Sequence, residues 1–333
     1  MSPSITGNWA AALVMIGDLD AAHQRRLDET EAAKRSSCPA VDVIGSELEA
    51  LRIDIRRGQV ALALAQVEAR LAQVEAWWQQ DRSGQRVPEA PNPEVLARVL
   101  IGTLDVAQEA YFAQKDWEPA LRRIDDMLEV KRALERPAED IAGGRTNRAI
   151  VLRHLGRFGE AQTELEVCLQ VFQNNPTGSS VVLSSLAALF DDQGHVVQAI
   201  TQERRALALC EQLPDPYACA ISHNNLADYL EHRGTPSALA ESSRHQLAAL
   251  IYRLVAGLGQ HLQSSLRNYA VRFRRAQAAG TLLTVPRVAE LLADPVFRPL
   301  DDWLRQRQVG VAEVQAVVDR ALDMIRQAAL GQT

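Results

Sequence analysis

Aromatic residues are scarce in this chain, 5% of 333 residues, while 47% are hydrophobic. A core built from this composition must be made mainly of Ala, Leu, Val and Ile, side chains that suit close packing of helix on helix. Sustained alternation of apolar and polar residues, the mark of a half-buried strand, is missing. No stretch approaches the ~20 consecutive apolar residues of a membrane helix. The opening MSPSITGNWAAALVMIGDLDAA has no basic leader followed by a long apolar run, so a signal peptide is not expected. A cytoplasmic protein with no membrane partner is the expectation. Cysteine is also sparse. Cys38, Cys168, Cys210 and Cys219 form no C-x-x-C pair, and Cys168 and Cys210 fall on apolar helical faces. They read as small buried hydrophobes in a reducing compartment.

Lysine is nearly absent. Of 36 basic residues only Lys34, Lys115 and Lys131 are lysines, and the other 33 are arginines. Genomic base composition in a bacterium explains this bias, and a surface adapted to bidentate carboxylate recognition is the sharper alternative. With a net charge of -6 and a pI near 5.7, the chain is a poor partner for nucleic acid.

Signatures of catalysis are missing too. There is no G-x-x-x-x-G-K-[ST], no G-x-G-x-x-G after a strand, no H-E-x-x-H and no G-x-S-x-G. GGRTNRA at 143–149 reads as a loop leading into a helix. The seven histidines read as residues of turns and polar helix faces, with no ligand spacing for a metal. The pairs Asp125-Asp126, Asp191-Asp192 and Asp301-Asp302 are adjacent, so their members point to different sides of a helix. No enzyme activity, cofactor or metal is expected.

What the chain does have is self-similarity. LRHLGRFGEAQTELEVCL, LFDDQGHVVQAITQERRAL and YLEHRGTPSALAESSRHQL each end one helix at a glycine (Gly156, Gly194, Gly234) and place a small or apolar residue five positions later. That residue recurs at positions 22, 63, 120, 161, 199 and 239, with steps of 41, 57, 41, 38 and 40. A period near 40 with two helices per unit marks an α-solenoid. The long step contains QQDRSGQRVPEAPNP, a polar stretch rich in Pro and Gly that reads as a loop or linker. Ala149, Ala187, Ala227 and Ala270 occupy equivalent places in the first helices, where a small side chain lets the partner helix approach. A seventh, degenerate unit begins around Leu262.

LADYLEHRG, LAALFDDQG and RAIVLRHLGRFGEA resemble tetratricopeptide repeats, most closely the ~40-residue kinesin-light-chain-like repeats of bacterial signalling proteins. The resemblance covers about residues 5–280 and is clearest over 101–247. It implies an all-α fold, a right-handed superhelix of about seven helical hairpins. Degenerate repeats would occupy 1–78, the insertion 79–93, the core array 94–280, and C-terminal capping helices 281–333. In that last region Pro286, Pro295 and Pro299 mark helix starts. GVAEVQAVVDRALDMIRQAALG reads as one helix with Val311, Val314, Val318, Leu322 and Ile325 along a stripe, either sealing the last repeat or serving a homo-oligomer or partner.

The resemblance also implies a binding site on the concave face lined by first helices. Asn147, Asn225 and Asn268 precede the Leu-Ala-like pairs, and Ser185 takes that place in the unit between. In kinesin-light-chain-like arrays such asparagines form a ladder to the backbone of an extended peptide. An amide offers both donor and acceptor, as a peptide unit does. The alternative is that they cap or bridge helices within the scaffold. Glu109, Arg153, Asp191, Asp228, Arg267, Arg274 and Arg275 are expected on the same face, with Arg272, Arg274 and Arg275 either meeting a carboxylate or phosphate or forming a solvated face. The expected function is a non-enzymatic scaffold for a protein or peptide. The other reading is a sensor or regulatory region of a larger bacterial signalling or defence protein that controls an effector.

Overall fold

A computed structural model describes residues 18–36, 38–90, 92–257, 259–278, 280 and 284–330. These residues form fifteen α-helices and one 3-10 turn, with no strand among them. The chain falls into two compact units, residues 1–171 and 172–333.

The first unit holds α1 (Leu19–Arg35), α2 (Ala40–Arg56), α3 (Val60–Arg82), α4 (Pro93–Gln114), α5 (Trp117–Ala133), α6 (Ala138–His154) and α7 (Phe158–Val171). The first helix of the opening degenerate repeat, with Gly17, lies outside the described residues. The second unit holds α8 (Pro176–Asp192), α9 (Val196–Cys210), α10 (Pro216–Arg233), α11 (Pro236–Val255) and α12 (Gly259–Ala278). It ends with α13 (Val288–Leu292), the 3-10 turn Pro295–Phe297, α14 (Arg298–Gln306) and α15 (Val311–Leu330). Within each unit consecutive helices pack as antiparallel pairs, α2 on α3, α4 on α5, α6 on α7, α8 on α9 and α10 on α11.

The repeat positions explain this packing. Ala120, Ala149, Ala161, Ala187, Ala199 and Ala227 are fully buried at 0% exposure, so each crossing is set by a methyl group. Gly156, Gly194 and Gly234 take φ of 74°, 77° and 68°, the left-handed conformation that stops a helix without strain at glycine. Four starts use one device. Asn92, Asn175, Asp215 and Thr235 each accept a backbone N–H from the first turn and are followed by a proline that needs no N–H partner.

The polar stretch after α3 is only partly loop. α3 continues through Arg82, and the connection to α4 is itself packed, with Val87 and Ala90 buried and Glu89 O accepting from Val41 N at 3.1 Å. At the other end, α12 has no partner helix immediately after it in sequence. Residues 284–310 turn through α13, the 3-10 turn and α14 before α15 packs on α12, α11 and α13. Val314, Val318, Leu322 and Ile325 are buried in that contact with Tyr269, Phe273 and Val288, whereas Val311 is 40% exposed. The apolar stripe is therefore consumed inside the chain. Cys168, Cys210 and Cys219 are buried free thiols, while Cys38 is exposed, contrary to the expectation of a wholly buried set, because it sits in the turn before α2. No helix among the described residues is long and apolar enough to cross a membrane.

Glycine can be tested where it is close-packed. A Cβ on Gly178 would lie 2.3 Å from the Phe172 ring, whereas one on Gly143 meets nothing within 4 Å. Gly178→Ala is expected to destabilise the protein by about 1–3 kcal/mol through overpacking. Gly143→Ala, on an exposed helical position, is expected to stabilise it by up to about 1 kcal/mol. Urea unfolding of both variants checks the pair, and equal effects would refute the packing assignment.

Candidate functional site

In the second unit the first helices are α8, α10 and α12. α10 is held by Asp215 at its N-cap and stopped by Gly234, and it turns Leu226, Ala227 and Leu230 into the core at 0% exposure. Its other positions, Asn224, Asp228, Glu231 and His232, are left to face neighbouring first helices. α12 brings up Asn268, Arg272 and Arg275 at helical spacing. Together with Leu239 and Gln246 of α11 and Val271, they line a cleft of about 420 Å³.

Hydrogen bonds across the cleft run between adjacent repeats. Asn268 Nδ2 donates to Asn224 Oδ1 at 3.0 Å, and Asn224 Nδ2 donates to Asp228 Oδ2 at 3.2 Å. Glu231, one turn beyond Asp228 on α10, is a second hub. It accepts from Arg272 Nε at 2.6 Å, Gln246 Nε2 at 3.3 Å and Arg275 at 3.5 Å. Arg272 also donates to Ser242 Oγ at 3.0 Å, and Ser242 in turn donates to Ala227 O at 2.8 Å. Towards α8, His232 Nδ1 meets Asp191 at 2.9 Å. Burial pushes the Asp228 carboxyl up to about 6, with the nearby Glu231 charge adding to the rise and His232 and Arg272 opposing it.

The expected site residues fall in different places. Asp191, Asp228, Asn268 and Arg275 are brought into this polar seam. Arg267 and Arg274 are exposed on α12 outside the cleft lining. Ser185 is half-buried and donates back to Val181 O at 2.9 Å in its own helix. Asn225 lies beside Glu203 of α9, a carboxylate with 0% exposure that accepts from Ser184 Oγ at 3.0 Å. It is Asn224, one position earlier, that reaches Asn268. Asn147 and Arg153 belong to the first unit, both half-buried on α6, with an Arg153 guanidinium nitrogen 3.1 Å from His154 Nε2. In that unit the bonds between first helices are made by Arg52 of α2, to Asp105 of α4 at 2.6 Å and to Glu109.

Two histidines are not on polar faces as expected. His223 and His245 are each 1% exposed, with their Nδ1 atoms 2.8 Å apart between α10 and α11 and the Phe297 ring against both. Burial, with His245 adding to it, drives the His223 pKa well below its ordinary value. Their register gives the reason. His223 shares a stripe with Ala227 and Leu230, and His245 with Ala249 and Tyr252, and every member of both stripes is nearly or fully buried. No group of three or more His, Cys, Asp or Glu placed to hold a metal occurs among the described residues.

No family model matches the chain, and no curated protein sequence matches it. Solved structures do match. The crystal structure of BtubC (BKLC) from P. vanneervenii, a kinesin-light-chain-like tetratricopeptide protein, aligns over 70% of this chain and 91% of its own, with a TM-score of 0.51 and 16% identity. The fold is a tetratricopeptide-like α-solenoid. At that identity the similarity establishes the helical-repeat architecture. The seam described above is a property of this chain's own side chains.

Glu203 gives a test of the scaffold reading of Asn225. Burial raises its carboxyl to about 7, against the side chains of Ser222, Ser184 and Asn225, which favour the charged form. The folded pKa lies above the unfolded value near 4.3. The native state therefore holds the proton more tightly, and this contribution to stability is lost as pH rises from about 4 through about 7. Glu203→Gln removes that loss. Its stability relative to the parent is expected to rise by roughly 3 kcal/mol between pH 4 and pH 8. A difference that stays constant in urea titrations across this range would refute a buried, titrating Glu203.

Proposed function

We propose that the protein is a non-enzymatic helical-repeat scaffold that binds an extended protein or peptide segment across its first helices. The observation that carries this reading is the cleft between α10 and α12. It is open, about 420 Å³ in volume, and lined by amide, carboxylate, guanidinium and imidazole groups from adjacent repeats, with Leu239 and Val271. Such groups match the donors and acceptors of a peptide. The solenoid architecture supports it, since stacked repeats present successive first helices as one binding surface.

Each expected residue keeps a distinct part in this reading. Asn268, Asp228 and Arg275 make direct contact, with Asp191 and Ser185 extending the path along α8 and Arg267 and Arg274 at its outer margin. Asn147 and Arg153 hold the corresponding positions on α6 and belong to the first unit's own first-helix face. Asn225 acts at one remove, holding the α9–α10 packing through Glu203.

Selection of binders from a random twelve-residue peptide display library tests the reading. Selected peptides are expected to lose about tenfold in affinity with Asn268→Ala, which corresponds to about 1.4 kcal/mol. Gln198→Ala, an exposed position on second helix α9, should leave affinity unchanged. If no peptide is enriched, or if the Asn268 and Asp228 variants bind as well as the parent while circular dichroism shows an intact fold, the reading is wrong.

A further inference from the structure

The cleft walls are unbalanced in their hydrogen bonding. Each basic group in the lining already has an acidic partner, His232 with Asp191, and Arg272 and Arg275 with Glu231. Asp228 has none. Its Oδ2 accepts from Asn224, and among the described residues no side chain donates to its Oδ1.

The amide chain then fixes which atoms remain. A carboxylate only accepts, so Asn224 must present Nδ2 to Asp228. Asn224 Oδ1 is thereby left to accept from Asn268 Nδ2, and Asn268 keeps its Oδ1 as an unused acceptor. Gln246 follows the same logic. Its Nε2 must face the Glu231 carboxylate, and its Oε1 is buried with no donor among the described residues. Among the described residues three acceptors of the lining thus lack donors: Asp228 Oδ1, Asn268 Oδ1 and the solvent-excluded Gln246 Oε1. Arg275, largely exposed and meeting Glu231 through one nitrogen at 3.5 Å, also keeps donors, so the charge of a guest is decided at Asp228, among the described residues the one charged group of the lining without an ion pair.

From this we infer that the α10–α12 cleft takes an arginine side chain of the bound peptide, its guanidinium paired with Asp228 and donating to Asn268 Oδ1. The inference rests on peptide binding at this face and adds the chemistry of the side chain it selects. A guanidinium suits the walls because its planar fork carries five donors and no acceptor. It would also give Asp228 the direct ion pair that His232 and Arg272, already paired with Asp191 and Glu231, do not make with it. The carboxyl, held up to about 6 by burial, would then bind the guest in its charged form, so affinity falls as pH drops below about 6. Arg272 makes no hydrogen bond to Asp228, since Glu231, one turn along α10, and Ser242 hold its guanidinium.

Blocked seven-residue peptides of Ala and Ser, with Arg, Gln or Glu at the centre, separate the possibilities by calorimetry on the full chain. The Arg peptide is expected to bind at least tenfold more tightly than the Gln peptide at pH 7.5, with the Glu peptide weakest. Asp228→Asn, nearly the same size, should abolish the Arg preference, and lowering the pH to 5 should reduce it in the parent. Gln246→Met is the second variant, expected to weaken the Arg peptide alone. Equal affinity for the three peptides would overturn the arginine inference while leaving peptide binding standing. Preference for the Glu peptide, an Arg preference that survives both variants, or no binding of any peptide at millimolar concentration would each overturn it.

Discussion

Close approach at alanine is the constraint on which the rest of this structure depends. Where helices cross at Ala149, Ala161, Ala187, Ala199 or Ala227, the side chain is completely buried and only a methyl group separates the backbones. A larger residue there would push the pair apart and force strain on its neighbours. Because the crossing point is fixed, the rotation of each helix is fixed as well. The residues on the crossing stripe go inward, and those a third of a turn away are left to meet the next repeat. The polar seam of α10 and α12 follows from this geometry. With Leu226, Ala227 and Leu230 committed to the core, Asn224, Asp228 and Glu231 have one place to go.

The same constraint separates two kinds of carboxylate. Glu203 sits among Ser184, Ser222 and Asn225 at a helix crossing, entirely out of water. It belongs to the scaffold, and burial raises its carboxyl to about 7. Asp228 is half-buried at a cleft wall, with one oxygen tied to Asn224 and the other without a donor. Both are raised by desolvation, yet only the second is open to a guest. Among the described residues each acid has one oxygen without a donor, Glu203 Oε2 and Asp228 Oδ1, so what separates them is access: Glu203 is sealed at 0% exposure and Asp228 stands half-buried at the cleft.

The repeat was legible in the sequence because it rests on residues with few substitutes. Glycine at the left-handed stops and alanine at the crossings recur at fixed spacing, and their roles follow from backbone and steric limits. The cap-plus-proline starts at Asn92, Asn175, Asp215 and Thr235 were equally open to reading as Asx-Pro or Thr-Pro dipeptides. The seam was less legible. Spacing points to Asn225, immediately before Leu226-Ala227, whereas packing gives Asn225 to Glu203 and lets Asn224 reach Asn268. One residue is about 100° of helix rotation, the difference between facing α9 and facing α12. Counting positions from a repeat does not resolve that angle. The i,i+4 pair Asn224 and Asp228 was the available signal. His223 and His245 share stripes with Ala227 and Leu230 and with Ala249 and Tyr252, a readable signal of burial, whereas the Phe297 ring that covers both comes from 52 residues beyond His245.

That late arrival says how the last repeat is completed. In earlier units the second helix follows its partner after a short turn. α12 instead waits for α15, and the intervening segment places Phe297 on the two histidines and Val288 in the same core as Tyr269 and Phe273. Arg244 of α11 is paired with Asp294 at 3.0 Å just before the 3-10 turn. The segment is thus anchored to α10 and α11, the helices that carry one wall of the cleft, while α15 buries the apolar side of α12, which carries the other. Residues 284–330 fix both walls from behind and contribute nothing to the lining. A cleft that must hold its amide chain within hydrogen-bonding distance needs such backing, because an unsupported terminal helix frays, and the orientation of Asn268 would be lost with it.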